Sequence, residues 1–274
     1  MKVISWNLAR KVDAWRQLVD SEADVALVQE AAQPPDDVAG RIQVDAEPWA
    51  TAGAARSRPW RAAVVGLAPS VRIRWLRPRS IADAEAGDLP VSRLGTVSAA
   101  VVNTVSGGPV TLVSMYGAWE SPHPEADSPW IYADASVHRV ISDLSALVGR
   151  QRGHHILAAG DLNILHRYGE DGSAYWAGRY ATVFARMEAI GLPLVGPQSP
   201  NGRPAEPWPA ELPSDSANVP TYHTSSMTPA TAQRQMDFVF ASTALAGRVR
   251  VRALNQPEEW GPSDHCRMEI EIEE

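Results

Sequence analysis

Residues 155–163 read HILAAGDLN, and this stretch does most to identify the fold. It begins with a short apolar run, His155 to Ala159, which has the length of a buried strand. The run leads directly into Gly160-Asp161-Leu162-Asn163, so a carboxylate and an amide follow the strand. An ionised carboxylate beside an apolar core is costly unless it is paired or bound to a cation. The stretch therefore predicts a strand that ends in a functional site.

Two strands near the N-terminus end in the same way. The run Val3 to Leu8 predicts a buried strand that ends around Asn7, and Val25 to Gln29 predicts a second strand followed by Glu30. Several polar groups gathered at one sheet edge would be costly to desolvate, and a metal ion would offset that cost.

Two further strands begin with polar residues. Asp237 opens the predicted strand Met236 to Ala241, and Asp264 and His265 open the last strand, Arg267 to Glu273. Taken singly, each polar position has an ordinary alternative. Glu30 suits a strand end that faces water, and the others suit turns or caps. The order of the whole set along the chain is what favours a site.

The rest of the pattern predicts a sheet-rich α/β domain. Three amphipathic helices are predicted at Val12 to Ser21, Trp130 to Val148 and Tyr175 to Ile190, the last closed by Gly191. The other predicted strands are Ala62 to Leu67, Val71 to Leu76, Thr96 to Asn103, Val110 to Met115 and Val249 to Leu254, with a hairpin turn at Ser106-Gly107-Gly108-Pro109. We expect residues 1–274 to form one domain of two packed sheets with helices on the outer faces.

Residues 193–220 carry eight prolines and are predicted to form a loop. Proline fixes φ and lacks a backbone donor, so this stretch cannot be a helix or a central strand. Long loops in compact domains are often functional rims. We expect substrate selection to involve this loop.

Composition limits the function classes. The 274 residues carry a net charge of −7, which weakly opposes a protein that coats nucleic acid but allows a nuclease with a local basic patch. The single cysteine, Cys266, excludes an intrachain disulfide. The N-terminal MKVISWN lacks a signal-peptide pattern, and no apolar run reaches about 18 residues. We expect a cytoplasmic protein with no membrane span, and nothing in the sequence implies an obligate protein partner.

The ordered motifs resemble the endonuclease/exonuclease/phosphatase superfamily, which includes exonuclease III-like abasic endonucleases, DNase I, neutral sphingomyelinases and inositol polyphosphate 5-phosphatases. The resemblance covers nearly the whole chain. Its most specific elements are the GDxN motif at 160–163 and the terminal Ser263-Asp264-His265. The other matching segments are Ser5-Trp6-Asn7, Val28-Gln29-Glu30, Tyr116-Gly117 and the seven residues 236–242, MDFVFAS.

The resemblance implies a four-layered α/β sandwich with the site at one edge of two mixed β-sheets. It implies that Glu30 is the principal metal ligand, with Asn7 and Asp264 near the same ion. Oxygen and amide ligands without a Cys/His cluster favour Mg²⁺ or Mn²⁺ over zinc. Some relatives have a second acidic residue two positions after the first Asn. Ala9 stands there in this chain, which favours one metal ion.

The resemblance also implies roles for five catalytic residues. Asp161 would orient or deprotonate the attacking water, and Asn163 would hydrogen-bond that water or a phosphoryl oxygen. His265 would contact a non-bridging oxygen with its tautomer held by Asp237, and Tyr116 would lie at the phosphate or the leaving group. These roles suit phosphodiester hydrolysis, which builds negative charge on phosphoryl oxygens.

The function expected from this set is metal-dependent hydrolysis of phosphodiesters, with DNA or RNA as the substrate. A phosphatase or phosphodiesterase of small or lipid-headgroup phosphoesters is the alternative, to which the acidic net charge gives weight. A silent binding module is a third possibility, although it would have no chemical need for the whole set. The sequence does not distinguish DNA from RNA or endonuclease from exonuclease cleavage.

Some aromatic and basic residues suit nucleic-acid contacts but have ordinary alternatives. Trp119, Trp130 and Trp208 could stack on bases, or could simply lie on loops of a chain with 10 tryptophans. A cluster formed by Arg56, Arg58 and Arg61 could contact phosphates, and a solvated loop is an equally good interpretation.

Overall fold

The structure is a computed structural model that describes residues 1–52, 57–103, 108–119, 125, 132–148, 154–168 and 173–273. The strands are β1 Lys2–Asn7, β2 Val25–Ala31, β3 Thr51–Ala52, β4 Ser57–Arg58, β5 Arg61–Gly66, β6 Arg72–Leu76, β7 Pro78–Ser80, β8 Leu89–Val91, β9 Val97–Asn103, β10 Val110–Tyr116, β11 Ile156–Asp161, β12 Leu194–Gly196, β13 Asp237–Ala241, β14 Val249–Leu254 and β15 Arg267–Ile272. The helices are α1 Val12–Val19, α2 Asp36–Ala39, α3 Ala133–Val148, α4 Ala174–Ala189 and α5 Thr243–Ala246, with a 3-10 turn at Pro229–Thr231.

Two large mixed sheets form the centre of the molecule. The first has the strand order β14-β15-β1-β2-β5, and the second has the order β12-β13-β11-β10-β9-β6. Each contains one parallel pair among antiparallel neighbours, β1 with β2 in the first sheet and β10 with β11 in the second. The carboxyl ends of these four central strands therefore define one edge in each sheet.

The sheets face each other across an apolar core, and helices cover their outer faces. Leu27 and Met268 of the first sheet pack with Leu112 of the second in the inner core. Trp15 belongs to a separate cluster on the outer face of the first sheet, under α1. A third cluster includes Val137 of α3 and lies on the outer face of the second sheet. Burying each large side chain contributes about 1.5–3 kcal/mol. The arrangement confirms the predicted four-layered sandwich.

Most of the predicted helices and strands are present with small shifts at their ends. The helix predicted from Val12 to Ser21 ends at Val19, and the helix predicted from Tyr175 to Ile190 spans Ala174–Ala189. Gly191 follows it with φ +80°, the left-handed conformation that closes helices without a Cβ clash. The short strands β3, β4, β7 and β8 were not predicted, because two or three residues carry too little periodicity.

Parts of two predictions fall outside the described residues. These are the start of the long helix, at Trp130 and Ile131, and the Ser106-Gly107 half of the hairpin turn. In the described part of the chain, no helix has the length and apolarity to cross a membrane.

The proline-rich stretch is mostly irregular, as predicted, but it also contains strand β12. Leu194–Gly196 pairs with one edge of β13, and the register of that pairing shifts between its two ends. An edge strand needs hydrogen bonds on one side only, so it tolerates the neighbouring prolines.

Candidate active site

Polar side chains meet where the central strands of both sheets end. Tyr116 is the last residue of β10 and lies opposite Asp161, the last residue of β11. Asp161 lies in turn opposite Asp237, the first residue of β13. These three residues therefore share one level across three adjacent strands. In the other sheet, Asn7 ends β1 and Glu30 lies next to the end of β2.

A β-bulge directs Glu30. The pairing of β2 with β5 shifts register between Val28 and Ala31, and Glu30 has φ +43°. Left-handed backbone is strained for residues with a side chain, and bulges often re-aim a side chain beside an active site. The strain is thus located at the residue predicted to be the principal metal ligand.

Two glycines allow the strand ends to approach closely. A Cβ at Gly160 would overlap the carbonyl oxygen of Met115 on β10, and a Cβ at Gly117 would overlap the carbonyl oxygen of Leu162. Only glycine leaves room for the neighbouring backbone in both places. The glycines therefore fix the spacing between Tyr116 and Asp161.

Asp161 lies at the centre of the hydrogen-bond network. Its Oδ2 accepts hydrogen bonds from Asn7 Nδ2 at 2.9 Å and Asn163 Nδ2 at 3.0 Å, and its Oδ1 accepts one from the backbone N–H of Asn163 at 2.8 Å. Burial raises the pKa of Asp161 to about 7, although the positive charge of His265 opposes this rise. Asp161 is therefore a weak carboxylic acid, poised to exchange a proton near neutral pH.

His265 and Asp237 form a buried pair. Nδ1 of His265 lies 2.8 Å from Oδ2 of Asp237, and Nε2 lies 3.7 Å from Oδ2 of Asp161. Burial lowers the pKa of His265, but the carboxylates of Asp237, Asp161 and Asp264 outweigh it and raise the pKa to about 10. The imidazole is therefore a cation at neutral pH.

Tyr116 joins the two sheets through Glu30. Its hydroxyl donates to Glu30 Oε1 at 3.0 Å, and Asn7 Nδ2 lies 3.4 Å from the same oxygen. Burial, followed by the charges of Glu30 and Asp161, raises the pKa of Tyr116 well above its usual value. Tyr116 therefore remains a neutral hydrogen-bond donor. The other oxygen of Glu30 lies 3.5 Å from Nε of Arg10.

The donor set fits a hard divalent cation. Four carboxylates, those of Glu30, Asp161, Asp237 and Asp264, gather at this edge of the sheets. Carboxylate oxygens are the preferred ligands of Mg²⁺ and Mn²⁺. Asp237 Oδ1 is buried and has no hydrogen-bond partner among the described residues, which marks unbalanced negative charge. The residues present therefore suit a bound cation.

Two groupings of these residues could hold that cation. Asp161, Asp237 and His265 each place one ligand atom within 4.8 Å of the other two. In that grouping, however, His265 Nδ1 and Asp237 Oδ2 already bond to each other. Glu30 and Asn7 are in contact and form the second grouping. Asp264 is less closely joined to it, because its side-chain bond among the described residues is the one from Ser263 at 3.5 Å.

The structure adds supporting residues that the sequence did not single out. The ring of Tyr222 lies 4.8 Å from that of His265. Thr221 Oγ1 accepts the backbone N–H of Asp237 at 3.1 Å. Ser263 Oγ donates to the carbonyl of Asn7 at 2.7 Å and so ties the terminal motif to β1. No sequence signal distinguishes Thr221 and Tyr222, which follow the proline-rich loop.

The three arginines of the predicted basic cluster differ in environment. Arg61 is buried and makes two hydrogen bonds to Asp45, so it has a structural role. Arg58 lies near the site, with its guanidinium 5.0 Å from the ring of Trp60, which packs 5.0 Å from Tyr116. Arg56 lies outside the described residues.

The three tryptophans also differ in their environment. Trp119 is 39% exposed and follows β10 directly after Tyr116-Gly117-Ala118. Trp208 donates to the carbonyl of Leu212 within its own loop. Trp130 lies outside the described residues.

One family model matches nearly the whole chain. It describes the Endonuclease/Exonuclease/phosphatase family and matches residues 4–265. That range begins in β1 and ends at His265, so it includes every residue of the network. No curated protein matches the sequence.

Solved structures with a similar fold include two AP endonucleases and an exonuclease. AP endonuclease LMAP from Leishmania major is 16% identical with a TM-score of 0.63, covering 100% of this chain and 87% of that one. An AP endonuclease from Archaeoglobus fulgidus is 14% identical with a TM-score of 0.60 and 99% coverage of both chains. The 3′-5′ exonuclease NExo from Neisseria meningitidis is 17% identical with a TM-score of 0.58 and full coverage of both chains. At these identities the likeness shows a shared fold.

Proposed function

The chain belongs to the Endonuclease/Exonuclease/phosphatase family, and on that premise we propose that it is a metal-dependent phosphodiesterase whose substrate is a nucleic acid. One observation carries the proposal. The Asp161 carboxylate is held by the amides of Asn7 and Asn163, and it lies 3.7 Å from the imidazole of His265. A base and a cationic donor are thus fixed side by side, as hydrolysis of a phosphate ester requires.

Asp161 and His265 have complementary roles in this proposal. Asp161 orients the attacking water and accepts its proton, which a carboxyl group with a pKa near 7 can do at physiological pH. His265, protonated at that pH, donates from Nε2 to a non-bridging phosphoryl oxygen. Asp237 holds the Nδ1 proton and thereby the orientation of the ring.

Asn163 and Tyr116 position the reacting groups. Both amide protons of Asn163 are already donated, one to Asp161 and one to the carbonyl of Gly117. Its oxygen accepts no hydrogen bond from the described residues, so we assign it to the attacking water rather than to a phosphoryl oxygen. Tyr116 remains a neutral donor and lies at the phosphate or the leaving group.

We propose that Glu30, Asn7 and Asp264 hold one Mg²⁺ or Mn²⁺ ion. Among the described residues, Asn7 Oδ1 accepts one hydrogen bond, from the backbone N–H of Ala9, which leaves a second lone pair for an ion. When bound, a divalent cation supplies positive charge that stabilises the phosphoryl oxygens. Ala9 offers no second carboxylate, which supports the choice of one ion.

A local basic patch supports a nucleic-acid substrate despite the net charge of −7. Burial, followed by repulsion from Arg93, lowers the pKa of Arg58, because a second guanidinium lies near it beside Tyr116. Burial also lowers the pKa of Arg93, and the interaction with Tyr116 opposes this decrease. Arginines near the reacting phosphate can position a polyanionic chain. The names of the similar structures, AP endonuclease and 3′-5′ exonuclease, point the same way.

The setting of the enzyme is also part of the proposal. We propose that residues 1–274 act as a single cytoplasmic domain that needs no obligate protein partner. Its one cysteine, Cys266, is buried in the fold and burial raises the pKa of its thiol well above the usual value, so it stays an unreactive thiol.

A substrate panel tests the proposed function. The purified protein is incubated with plasmid DNA, single-stranded DNA, RNA and an abasic duplex, each with Mg²⁺ and with EDTA. A generic bis-phosphoester and an inositol phosphate are included as small substrates. We expect EDTA-sensitive cleavage of at least one nucleic acid. Turnover of the small esters alone would replace the nucleic-acid assignment, and binding without any turnover would indicate a silent module.

A further inference from the structure

A cavity of about 290 Å³ lies directly beside the catalytic network. Asn163, which bonds to Asp161, and Met236, which precedes Asp237, both line it. Five aromatic side chains, together with Glu211 and Arg234, also line it. The size is at the lower end of the range of small-molecule sites, about 300–1,000 Å³. A single ring system with an attached sugar suits this space better than a long chain does.

Five aromatic side chains form a continuous wall of this cavity. Trp119 contacts Tyr132 with ring centroids 5.5 Å apart, and Tyr132 contacts Trp176 at 4.4 Å. Trp176 stacks on Tyr180 at 5.8 Å, and Tyr180 lies 6.3 Å from Tyr168. The wall thus joins the segment after β10, the residue before α3, the segment after β11 and helix α4.

This aromatic wall remains accessible to solvent. Trp119 and Tyr132 are 39% and 36% exposed, and the other three rings are partly buried. Large aromatic side chains usually reach the core, so a contiguous accessible group of them indicates a binding surface.

The wall and its rim match the chemistry of a nucleobase. A base has two flat π-faces that stack on aromatic rings and a polar edge that forms hydrogen bonds. Arg234 offers donors and Glu211 offers acceptors at the cavity lining, and the tyrosine hydroxyls can do either. The side chain of Arg234 is exposed and makes no hydrogen bond or ion pair with the described residues.

We propose that this cavity, the aromatic pocket, binds the base of a nucleotide next to the phosphate that is cleaved. The inference rests on the proposed function and narrows its substrate class. A base can enter the pocket only when it is unstacked and unpaired, so the preferred substrates are single strands, frayed ends or flipped nucleotides. Asn163 bonds to Asp161 and also lines the pocket, so it couples the position of the base to that of the attacking water.

Direct binding of two small ligands tests the pocket independently of catalysis. Calorimetry compares deoxyadenosine 5′-monophosphate with 2-deoxyribose 5-phosphate, which lacks the base, in the presence of Mg²⁺. Stacking on an aromatic residue strengthens binding by about tenfold or more per base. We expect at least that ratio for the wild-type protein. We expect Trp176→Leu to reduce it several-fold while the affinity for the sugar phosphate stays unchanged.

Matched variants distinguish an effect on the pocket from a general effect of substitution in α4. Glu188 lies on α4, is exposed and does not line the pocket, so Glu188→Ala should keep the wild-type ratio. If Trp176→Leu fails to fold, Trp119→Leu gives the same test at a more exposed position. Equal affinities of the wild-type protein for the two ligands would overturn the inference, and so would an unchanged ratio in the pocket variant.

The same comparison distinguishes failure of the pocket from failure of the proposed function. If the protein hydrolyses phosphodiesters but binds both ligands equally, the function stands and the pocket assignment is wrong. If it hydrolyses none of the panel but retains the base-dependent ratio, the site binds nucleotides and the proposed catalysis is wrong. With an active enzyme, we also expect kcat/KM for single-stranded DNA to exceed that for an intact duplex by about tenfold.

Discussion

Nε2 of His265 lies 3.7 Å from Oδ2 of Asp161, and both side chains are buried. The distance is longer than a hydrogen bond, so neither group satisfies the other fully. The imidazole is held by Asp237 on its other side, and the carboxylate is held by two amides. A cationic donor and a base are therefore both available to a substrate that enters between them.

We predict that His265→Ala lowers kcat by at least about 100-fold, because the cationic donor to the phosphoryl oxygen is lost. Initial rates on the best substrate of the panel give the measurement, and circular dichroism confirms folding. His138→Ala is the matched control, since His138 contacts Thr182 and Arg186 of α4 rather than the network. A folded His265→Ala protein with a near-wild-type rate would remove His265 from the mechanism.

We predict that Asp237→Asn moves the alkaline limb of the pH–kcat profile to lower pH. The carboxylate of Asp237 raises the pKa of His265, which reaches about 10, so the active imidazolium is lost only above that pH in the wild-type protein. Removing an adjacent charge shifts such a limb by about 1–3 pH units, here downward. Asp83→Asn, at an exposed position, should leave the profile unchanged. A limb that does not move would show that Asp237 does not set the charge of His265.

We predict that Glu30→Gln raises the Mg²⁺ concentration needed for half-maximal activity by about tenfold or more, because a neutral amide binds a hard cation more weakly than a carboxylate does. Titration of activity with Mg²⁺ after EDTA treatment gives the measurement. Glu85→Gln, on the exposed surface, serves as the control. An unchanged Mg²⁺ requirement would place the ion on other ligands, and Asp161, Asp237 and His265 would be the next group to test.

We predict opposite effects on stability for two glycine-to-alanine substitutions. Gly160→Ala forces a methyl group into the Met115 carbonyl and should destabilise the fold by more than about 3 kcal/mol. Gly178 lies within α4 with nothing near an added Cβ, so Gly178→Ala should stabilise the fold by about 0.5–1 kcal/mol. Urea unfolding measures both changes. A well-tolerated Gly160→Ala would contradict the close approach of β10 and β11.

The sequence predicted the sandwich because its strands carry long apolar runs. Val25 to Gln29 and Ile156 to Ala159 are buried on both faces, as the runs indicated, while His155 before the second strand is partly buried. The same pattern predicted that Asp161 lies at a strand end, because burying a carboxylate within the apolar run that precedes it would be costly. The structure brings Asn7, Glu30, Tyr116 and Asp237 to that point as well.

Other features depend on contacts between distant segments and could not be predicted. The bulge at Glu30 results from its pairing with β5, and the place of Tyr222 beside His265 depends on where the proline-rich loop returns. The sequence left the stacking role of Trp119 open. Only the folded structure shows that Trp119 lines a cavity together with Trp176 and Tyr180, which lie more than 50 residues away in the chain.

Hydrolysis in ¹⁸O-labelled water tests the central claim most directly. The wild-type protein and Asp161→Asn are incubated with Mg²⁺ and the preferred oligonucleotide, and the released phosphate ends are analysed by mass spectrometry. We predict one ¹⁸O atom per new phosphate end in the wild-type reaction and a rate at least about 100-fold lower in the variant, because Asp161 directs the attacking water. Unlabelled phosphate ends, or equal rates for the two proteins, would contradict attack by water held at Asp161.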